Sequence, residues 1–160
     1  MIKELEKIEN FDMFLEEILD IIEDLPSDQS QIMVQGLDDN FNVGTGRIGS
    51  LENQNERDYV KLNPLFENTI LSSYVKKYNA FRTRIMIMPE KHCYSVHMDP
   101  TFRIHIPLIT SDQAWMVWPY NNTCSRMLAG TVYWVNTKKF HSFFNGAKTK
   151  RIHVVMCVDN

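Results

Sequence analysis

The chain has 160 residues, of which 44% are hydrophobic and 23% are charged. This composition is that of a globular protein and excludes a disordered or fibrous chain, and the length suits one domain. No apolar run approaches the roughly 18 residues that a membrane span requires, and the first residues lack the apolar core of a signal peptide. Three scattered cysteines predict reduced thiols. We therefore expect a cytoplasmic protein that does not bind a membrane.

The net charge of −3 is divided unevenly along the chain. Residues 1–70 contain 16 acidic and 5 basic side chains, a sum of −11. Residues 71–160 contain 12 basic and 4 acidic side chains, a sum of +8, together with all five histidines. An uneven charge distribution bears on binding partners rather than on fold, and it predicts that the second part attracts anions.

The first part of the chain is predicted to be largely helical. Apolar residues recur at three- and four-residue steps through residues 1–24, which predicts a helix that ends at Pro26. A short strand is expected from Gln31 to Gln35. A second helix is expected to begin after Asn63-Pro64, where asparagine can cap and proline can open a helix, and to run to about Tyr78.

A polar, glycine-bearing segment from Asp38 to Asn55 is predicted to be an exposed loop. It contains Gly44-Thr45-Gly46-Arg47-Ile48-Gly49, which matches the dinucleotide-binding fingerprint by letter. That motif requires a helix that opens at its last glycine, so that the pyrophosphate meets the helix N-terminus. The sequence after Gly49 has no apolar helical period, so we interpret the segment as a mobile loop. A loop of this length can act as a lid.

From residue 81 onward, short segments rich in β-branched and aromatic residues are separated by turn residues, which predicts strands. These segments are Arg82–Met88, Cys93–Met98, Thr101–Leu108, Ala114–Trp118, Thr131–Val135 and Arg151–Val158. Two helices followed by six closely spaced strands predict a mostly β fold, an antiparallel barrel or two-sheet sandwich with the helices packed outside. Large apolar residues expected in its core are Trp115, Trp118, Trp134, Met86, Met88 and Met116.

A candidate metal site begins with His97-Met98-Asp99. Residues two apart in an extended segment point to the same side, so His97 and Asp99 can reach one metal ion. His141 follows the predicted strand Thr131–Val135 and can supply a second imidazole. Two imidazoles and one carboxylate form the facial triad of non-haem Fe(II) oxygenases. Arg151 stands ten residues further on, and a guanidinium there suits bidentate capture of a carboxylate.

This order of residues resembles the Fe(II)/2-oxoglutarate-dependent oxygenases with the double-stranded β-helix, or jelly-roll, fold. Within them, Arg103-Ile104-His105 is similar to the Arg-x-His pair of the aspartyl/asparaginyl β-hydroxylase-like group. The resemblance covers about residues 81–158. We expect one domain over 1–160, in which a helix (1–28) and a supporting loop and helix (29–80) precede the core (81–160), and the resemblance implies that this core is a jelly roll with the metal site.

The resemblance also implies a role for each candidate residue. Three residues would bind Fe(II): His97, Asp99 and His141. Three would bind 2-oxoglutarate: Arg151 at the distal carboxylate, and Arg103 and His105 at the end nearer the metal. The implied enzyme is a dioxygenase that uses O₂ to hydroxylate an Asp- or Asn-type side chain of a protein or peptide, with release of succinate and CO₂.

The chain departs from the animal aspartyl β-hydroxylases in two places. Asp99 supplies a carboxylate where those enzymes have no metal-binding carboxylate, which favours a complete triad here. Ile85-Met86-Ile87 stands where those enzymes use a serine that contacts the co-substrate.

Two alternatives remain open from the sequence. The same oxygenase chemistry on a nucleotide, nucleic acid or small metabolite is consistent with the +8 sum, although a dianionic co-substrate explains part of that charge. A non-redox, cupin-like metal-binding module would need the three ligands but not Arg151, so the oxygenase is favoured. Outside the triad, His92 and His153 are expected to be structural and Cys93 to be a packed thiol.

Overall fold

The computed structural model describes residues 1–26 and 28–160, and no helix within them is long and apolar enough to cross a membrane. The helices are α1 (Phe11–Glu23) and α2 (Ile70–Lys77). The first strands are β1 (Ile2–Lys7), β2 (Gln31–Met33), β3 (Gln35–Gly36) and β4 (Lys61–Leu62). They are followed by β5 (Phe81–Met88), β6 (His92–Cys93), β7 (Phe102–Ile109), β8 (Ala114–Trp118), β9 (Thr123–Ser125), β10 (Thr131–Val135), β11 (Ser142–Asn145) and β12 (Arg151–Val158).

Two antiparallel sheets form the body of the fold. The larger sheet has the strand order β1-β10-β7-β12-β5-β2, and the smaller has the order β6-β11-β8-β9. Strands β3 and β4 form a separate pair. From β5 onward most consecutive strands lie in different sheets, β8 and β9 being a directly paired exception, and this crossing between sheets is the jelly-roll arrangement. The predicted fold class, mostly β with α-helices outside, is confirmed.

The larger sheet packs one face against the helices. In β12, Ile152, Val154 and Met156 are fully buried in the same cluster as Phe14 of α1 and Leu71 of α2. Because side chains alternate along a strand, the residues between them face the smaller sheet. This alternation directs the polar residues of β12 into the space between the sheets.

The space between the sheets is closed at one side by a second apolar cluster. Met88 and Val135 of the larger sheet meet Met116, Trp118 and Phe143 of the smaller one. The core prediction is therefore confirmed for Met88, Met116 and Trp118. The remaining three predicted core residues are only half-buried: Trp115, Trp134 and Met86.

The sequence predicts a continuous helix over 1–24 within a helical region 1–28. This prediction is wrong for the residues that precede Phe11. Residues 2–7 form strand β1, which pairs with β10 at the edge of the larger sheet, and the helix begins only at Phe11. Ile2 packs against the apolar cluster between the sheets, whereas Leu5 packs against the cluster on the helix side. Residues three apart on a strand point to opposite faces, so Ile2 and Leu5 each reach an apolar cluster, and their spacing imitates a helical period.

The second predicted helix is interrupted. Asn63 caps a single 3₁₀ turn, Pro64–Phe66, by accepting a hydrogen bond from the backbone N–H of Leu65 at 3.1 Å. Asn68 then takes a left-handed conformation (φ 64°), which stops the helix. Helix α2 starts afresh after Thr69, whose hydroxyl caps it by accepting from the N–H of Ser72.

The predicted strand Cys93–Met98 and the packed thiol of Cys93 are both corrected. Only residues 92–93 form a strand, and this strand lies at the exposed edge of the smaller sheet. Cys93 and Cys124 are consequently exposed, and Cys157 is buried. All three cysteines are free thiols, as the sequence predicts.

Candidate metal centre

The three predicted ligands meet at one end of the space between the sheets. His97 follows β6, Asp99 precedes β7, and His141 immediately precedes β11. The backbones of the two histidines pair, with N–H to O distances of 3.0 Å from His97 and 2.8 Å from His141. The backbone N–H of Asp99 donates to the carbonyl of Thr137 at 2.9 Å. Main-chain hydrogen bonds thus hold the two segments that carry the ligands.

The ligand atoms converge without contact between them. Nε2 of His97 lies 3.8 Å from Oδ1 of Asp99, and Nε2 of His141 lies 3.7 Å from Oδ2. One ligand atom from each of the three residues lies within 4.8 Å of the others. This spacing is what three ligands of one metal ion require, since each would then be about 2 Å from the ion.

Both imidazoles are oriented by a hydrogen bond on the far side of the ring. Nδ1 of His97 lies 2.7 Å from the carbonyl oxygen of Ser95, and Nδ1 of His141 lies 2.9 Å from that of Lys139. A carbonyl only accepts, so Nδ1 carries the proton in each ring and the lone pair of Nε2 faces the site. Burial lowers the pKa of His141, which favours the neutral, metal-binding form.

Asp99 is held by Arg103, which in turn is held by a carboxylate that the sequence did not identify. Nη2 of Arg103 lies 3.4 Å from Oδ2 of Asp99 and 2.8 Å from Oε1 of Glu56. The same oxygen of Glu56 accepts from Arg82 at 2.9 Å, and its other oxygen accepts from the Thr101 hydroxyl at 2.6 Å. Burial opposes ionisation of Glu56, but the two guanidiniums and the hydroxyl lower its pKa below the ordinary range.

Nothing in the local sequence distinguishes Glu56 from the other polar residues of its segment. It lies on a 3₁₀ turn, Glu56–Asp58, directly after the predicted loop of residues 38–55. It is 2% exposed, whereas its neighbours Arg57 and Asp58 are exposed. Only the approach of β5 and β7 to this turn shows that Glu56 is part of the site.

A cavity of about 750 Å³ extends from the three ligands into the space between the sheets. Arg151, at the start of β12, lines it and is 2% exposed. Its guanidinium lies over the ring of Phe143 at 3.5 Å, and its Nη2 donates to Nδ1 of His153 at 2.7 Å. No carboxylate among the described residues pairs with Arg151, and its Nε has no hydrogen-bond partner there. Burial accordingly lowers the pKa of Arg151 to about 9.

The other predicted histidines divide between the cavity and its surroundings. His105 lines the cavity, whereas His153 is completely buried beside it, 3.5 Å from His105 between the Nδ1 atoms. Burial and the nearby Arg151 lower the pKa of both rings well below the ordinary range, so both are neutral. His92 is exposed on β6. The structure therefore places Arg151 and His105 on the cavity, Arg103 within the Glu56 network that also lines it, and His92 away from it.

The glycine-rich loop lies at the cavity mouth. Residues 46–50 line the cavity, and Nη2 of Arg47 donates to the hydroxyl of Ser95 at 2.6 Å, across from the loop. Nη2 of the buried Arg82, on β5, donates to the carbonyls of Gly44 and Gly46, each at 2.9 Å. A 3₁₀ turn, Ile48–Ser50, follows the motif in place of the α-helix that a dinucleotide site needs. The loop covers part of the cavity, as a lid would.

The residues fit the metal and co-substrate implied by the resemblance. Two nitrogen ligands and one carboxylate suit Fe(II) and leave coordination positions for other groups. A buried guanidinium that has no acidic partner among the described residues and lies in the same cavity suits a carboxylate.

No protein-family model matches the chain, and no curated protein matches it. Among solved structures, it is similar to a truncated form of the viral collagen prolyl hydroxylase from Paramecium Bursaria Chlorella virus-1, with TM-score 0.57 and 10% identity over 99% of this chain and 90% of that one. It is also similar to AviO1 from Streptomyces viridochromogenes Tue57, with TM-score 0.56 and 9% identity over 97% of this chain and 87% of that one. These likenesses establish the fold.

Proposed function

We propose that the protein is an Fe(II)- and 2-oxoglutarate-dependent dioxygenase. One observation carries the proposal: the cavity that holds the His97, Asp99 and His141 ligand atoms also contains Arg151, buried and without an acidic partner. A cupin-like module that only binds metal has no need of that guanidinium. An enzyme that binds a dicarboxylate beside its metal needs such a guanidinium. The distal carboxylate then supplies the hydrogen bonds and negative charge that replace the hydration lost by the buried arginine.

The residues of the site have distinct tasks in this proposal. When bound, Fe(II) and 2-oxoglutarate supply the O₂-dependent oxidation that hydroxylates a substrate and yields succinate and CO₂. His97, Asp99 and His141 hold the metal, and Arg151 orients the distal carboxylate. Arg103 holds Asp99 in place through its contact at 3.4 Å. The loop at the mouth limits access of water to the cavity.

The proposal is tested by anaerobic titration of the protein with Fe(II) and 2-oxoglutarate. A visible charge-transfer band is expected when the co-substrate chelates the metal, and succinate is expected when air is admitted. The Arg126→Gln variant should give the same band and the same succinate yield as the unchanged protein, because Arg126 is exposed and lies over Trp115, outside the cavity. Metal binding with neither a band nor succinate would reject the oxygenase and favour the cupin-like module.

For the substrate, we propose an Asp- or Asn-type side chain of a protein or peptide. The support is the similarity of Arg103-Ile104-His105 to the Arg-x-His pair of the aspartyl/asparaginyl β-hydroxylase-like group. The pair lies on the cavity, but Arg103 is engaged by Glu56 and Asp99, so His105 is the member free to meet a ligand. A screen of succinate release should favour such peptides over nucleotides and small metabolites, and the reverse preference would reject this substrate.

A further inference from the structure

A second arginine in the cavity has no acidic partner among the described residues. Arg84 lies on β5, is 6% exposed and lines the cavity. Its hydrogen bonds both leave from Nη1, to the Gln31 side chain at 3.1 Å and to the carbonyl of Gly46 at 3.4 Å. Its Nε is buried and has no partner. The Nε edge of the guanidinium, the edge that pairs with both oxygens of a carboxylate, is therefore free.

The neighbouring arginines differ in having an acidic partner, although Nε of Arg82 is also buried without a hydrogen-bond partner among the described residues. Arg82 and Arg103 both pair with Glu56, at 2.9 and 2.8 Å, so one carboxylate already serves two guanidiniums. Arg84 adds a third positive charge to this region. Burial and the nearby Arg82 lower its pKa to about 10, which reflects the missing counter-charge.

Arg84 and Arg151 extend into the cavity from well-separated backbone positions along the sheet. On β12, Val155 pairs with Arg84, whereas Arg151 pairs with Met88, four residues further along β5. At strand spacing, four residues correspond to about 13 Å. Arg84 lies instead beneath the glycine-rich loop, at the side where Gly46 lines the mouth.

We propose that Arg84 binds a carboxylate group of the substrate beneath the loop of residues 46–50, at a site separate from the co-substrate carboxylate at Arg151. This inference rests on the proposed oxygenase function and names the chemical group by which its substrate is recognised. A carboxylate fits better than a tetrahedral anion, because Arg84 presents one planar edge and no second free guanidinium faces it. Access to the site requires the loop to open, since Arg47 joins it to Ser95.

The test uses butyrate and its neutral isostere butyramide as probes. Each is titrated into ¹⁵N-labelled protein saturated with Zn(II), a diamagnetic substitute for Fe(II), and with 2-oxoglutarate, and binding is followed by NMR. Butyrate is expected to bind at least about tenfold more tightly than butyramide, and Arg84→Gln is expected to remove that difference. Arg84→Lys should retain part of it, since it keeps the charge but loses the planar edge. Arg126→Gln should behave as the unchanged protein.

Three results would overturn the assignment. These are equal butyrate binding with and without Arg84, a loss of 2-oxoglutarate affinity in Arg84→Gln as large as in Arg151→Gln, and preferential binding of inorganic phosphate over butyrate. The NMR spectrum of each variant shows whether it is folded. The anaerobic charge-transfer band reports on the oxygenase separately. If butyrate binding depends on Arg84 but no charge-transfer band forms, the carboxylate site is supported and the oxygenase is rejected. If the band forms but butyrate does not bind, only the carboxylate site is rejected.

Discussion

The Arg151 guanidinium donates a hydrogen bond to Nδ1 of His153 across 2.7 Å, from a position two residues away on the same face of β12. Because the guanidinium can only donate, His153 must accept and its ring must be neutral. The packing of Phe143 against both side chains fixes the arrangement, with the Arg151 guanidinium 3.5 Å from the ring. The arginine is thus aimed into the cavity before any anion binds.

Arg151→Gln is expected to weaken 2-oxoglutarate and to spare the metal. Loss of a buried, charge-assisted carboxylate contact costs about 1.5–3 kcal/mol, which is roughly 10- to 150-fold in affinity. Calorimetric titration of Fe(II) and then of 2-oxoglutarate under nitrogen measures both affinities on one sample. An equal loss of metal and co-substrate affinity would show that Arg151 supports the fold of the site rather than the ligand.

His97→Ala is expected to abolish stoichiometric Fe(II) binding, because one nitrogen ligand and its lone pair are removed from a three-ligand site. His92→Ala is the matched control, since His92 is exposed on β6, outside the group of ligand atoms. Equilibrium dialysis with Fe(II) under nitrogen distinguishes the two variants. Metal binding by His97→Ala at the affinity of the unchanged protein would rule out the triad.

The clustering of His97, Asp99 and His141 could be predicted from the sequence because its signal is local. A His-x-Asp pair and a histidine after a strong strand are visible as letters, and the alternation of the strand places the pair on one side. The same logic identified Arg151, at the start of an apolar strand. The strand cores β5, β7, β8, β10 and β12 were likewise evident from β-branched and aromatic residues.

Glu56 and Arg84 could not be predicted, because their roles depend on long-range packing. Glu56 is one polar residue in a polar loop, and it becomes a buried counter-ion only when β7 brings Arg103 to 2.8 Å from it. Arg84 lies two residues from Arg82 on β5 but lacks that carboxylate partner. Strand β1 is hard to predict for a related reason: its apolar residues Ile2 and Leu5 point to opposite faces, which removes the alternation that marks a half-buried strand.

The stability of the metal-free protein is expected to fall as the pH is lowered below about 6.5. The pKa values of His105 and His153 are far below the ordinary histidine value in the folded state, because burial and Arg151 oppose a second positive charge. The unfolded chain therefore takes up protons near pH 6.5 that the folded chain does not. The contribution of the two neutral histidines to the free energy of unfolding is fully present above that pH. Below it, the free energy of unfolding decreases by about 1.4 kcal/mol per pH unit for each histidine.

Chemical denaturation at pH 7.5 and at pH 5.5, with a chelator present, measures this dependence. The His153→Asn variant keeps a hydrogen-bond acceptor for Arg151. It should reduce the dependence of the unfolding free energy on pH by the amount that one histidine contributes, about 1.4 kcal/mol per pH unit. His92→Asn should leave the slope unchanged, because that ring is exposed. A slope that does not respond to His153→Asn would mean that His153 is protonated in the folded protein.

Glu56→Gln is expected to destabilise the fold and to weaken metal binding together. The substitution leaves the buried Arg82 without a negative partner and removes the nearer of the two carboxylates beside Arg103, and removing one member of a buried ion pair costs about 3–5 kcal/mol. Arg103 then has only Asp99 as a carboxylate partner, so it competes with the metal for that oxygen. Glu52→Gln is the control, because Glu52 lies in the same segment and is exposed. Urea denaturation and Fe(II) titration measure the two effects. A loss of stability below about 1 kcal/mol, the value typical of a surface ion pair, would show that Glu56 does not hold the network together.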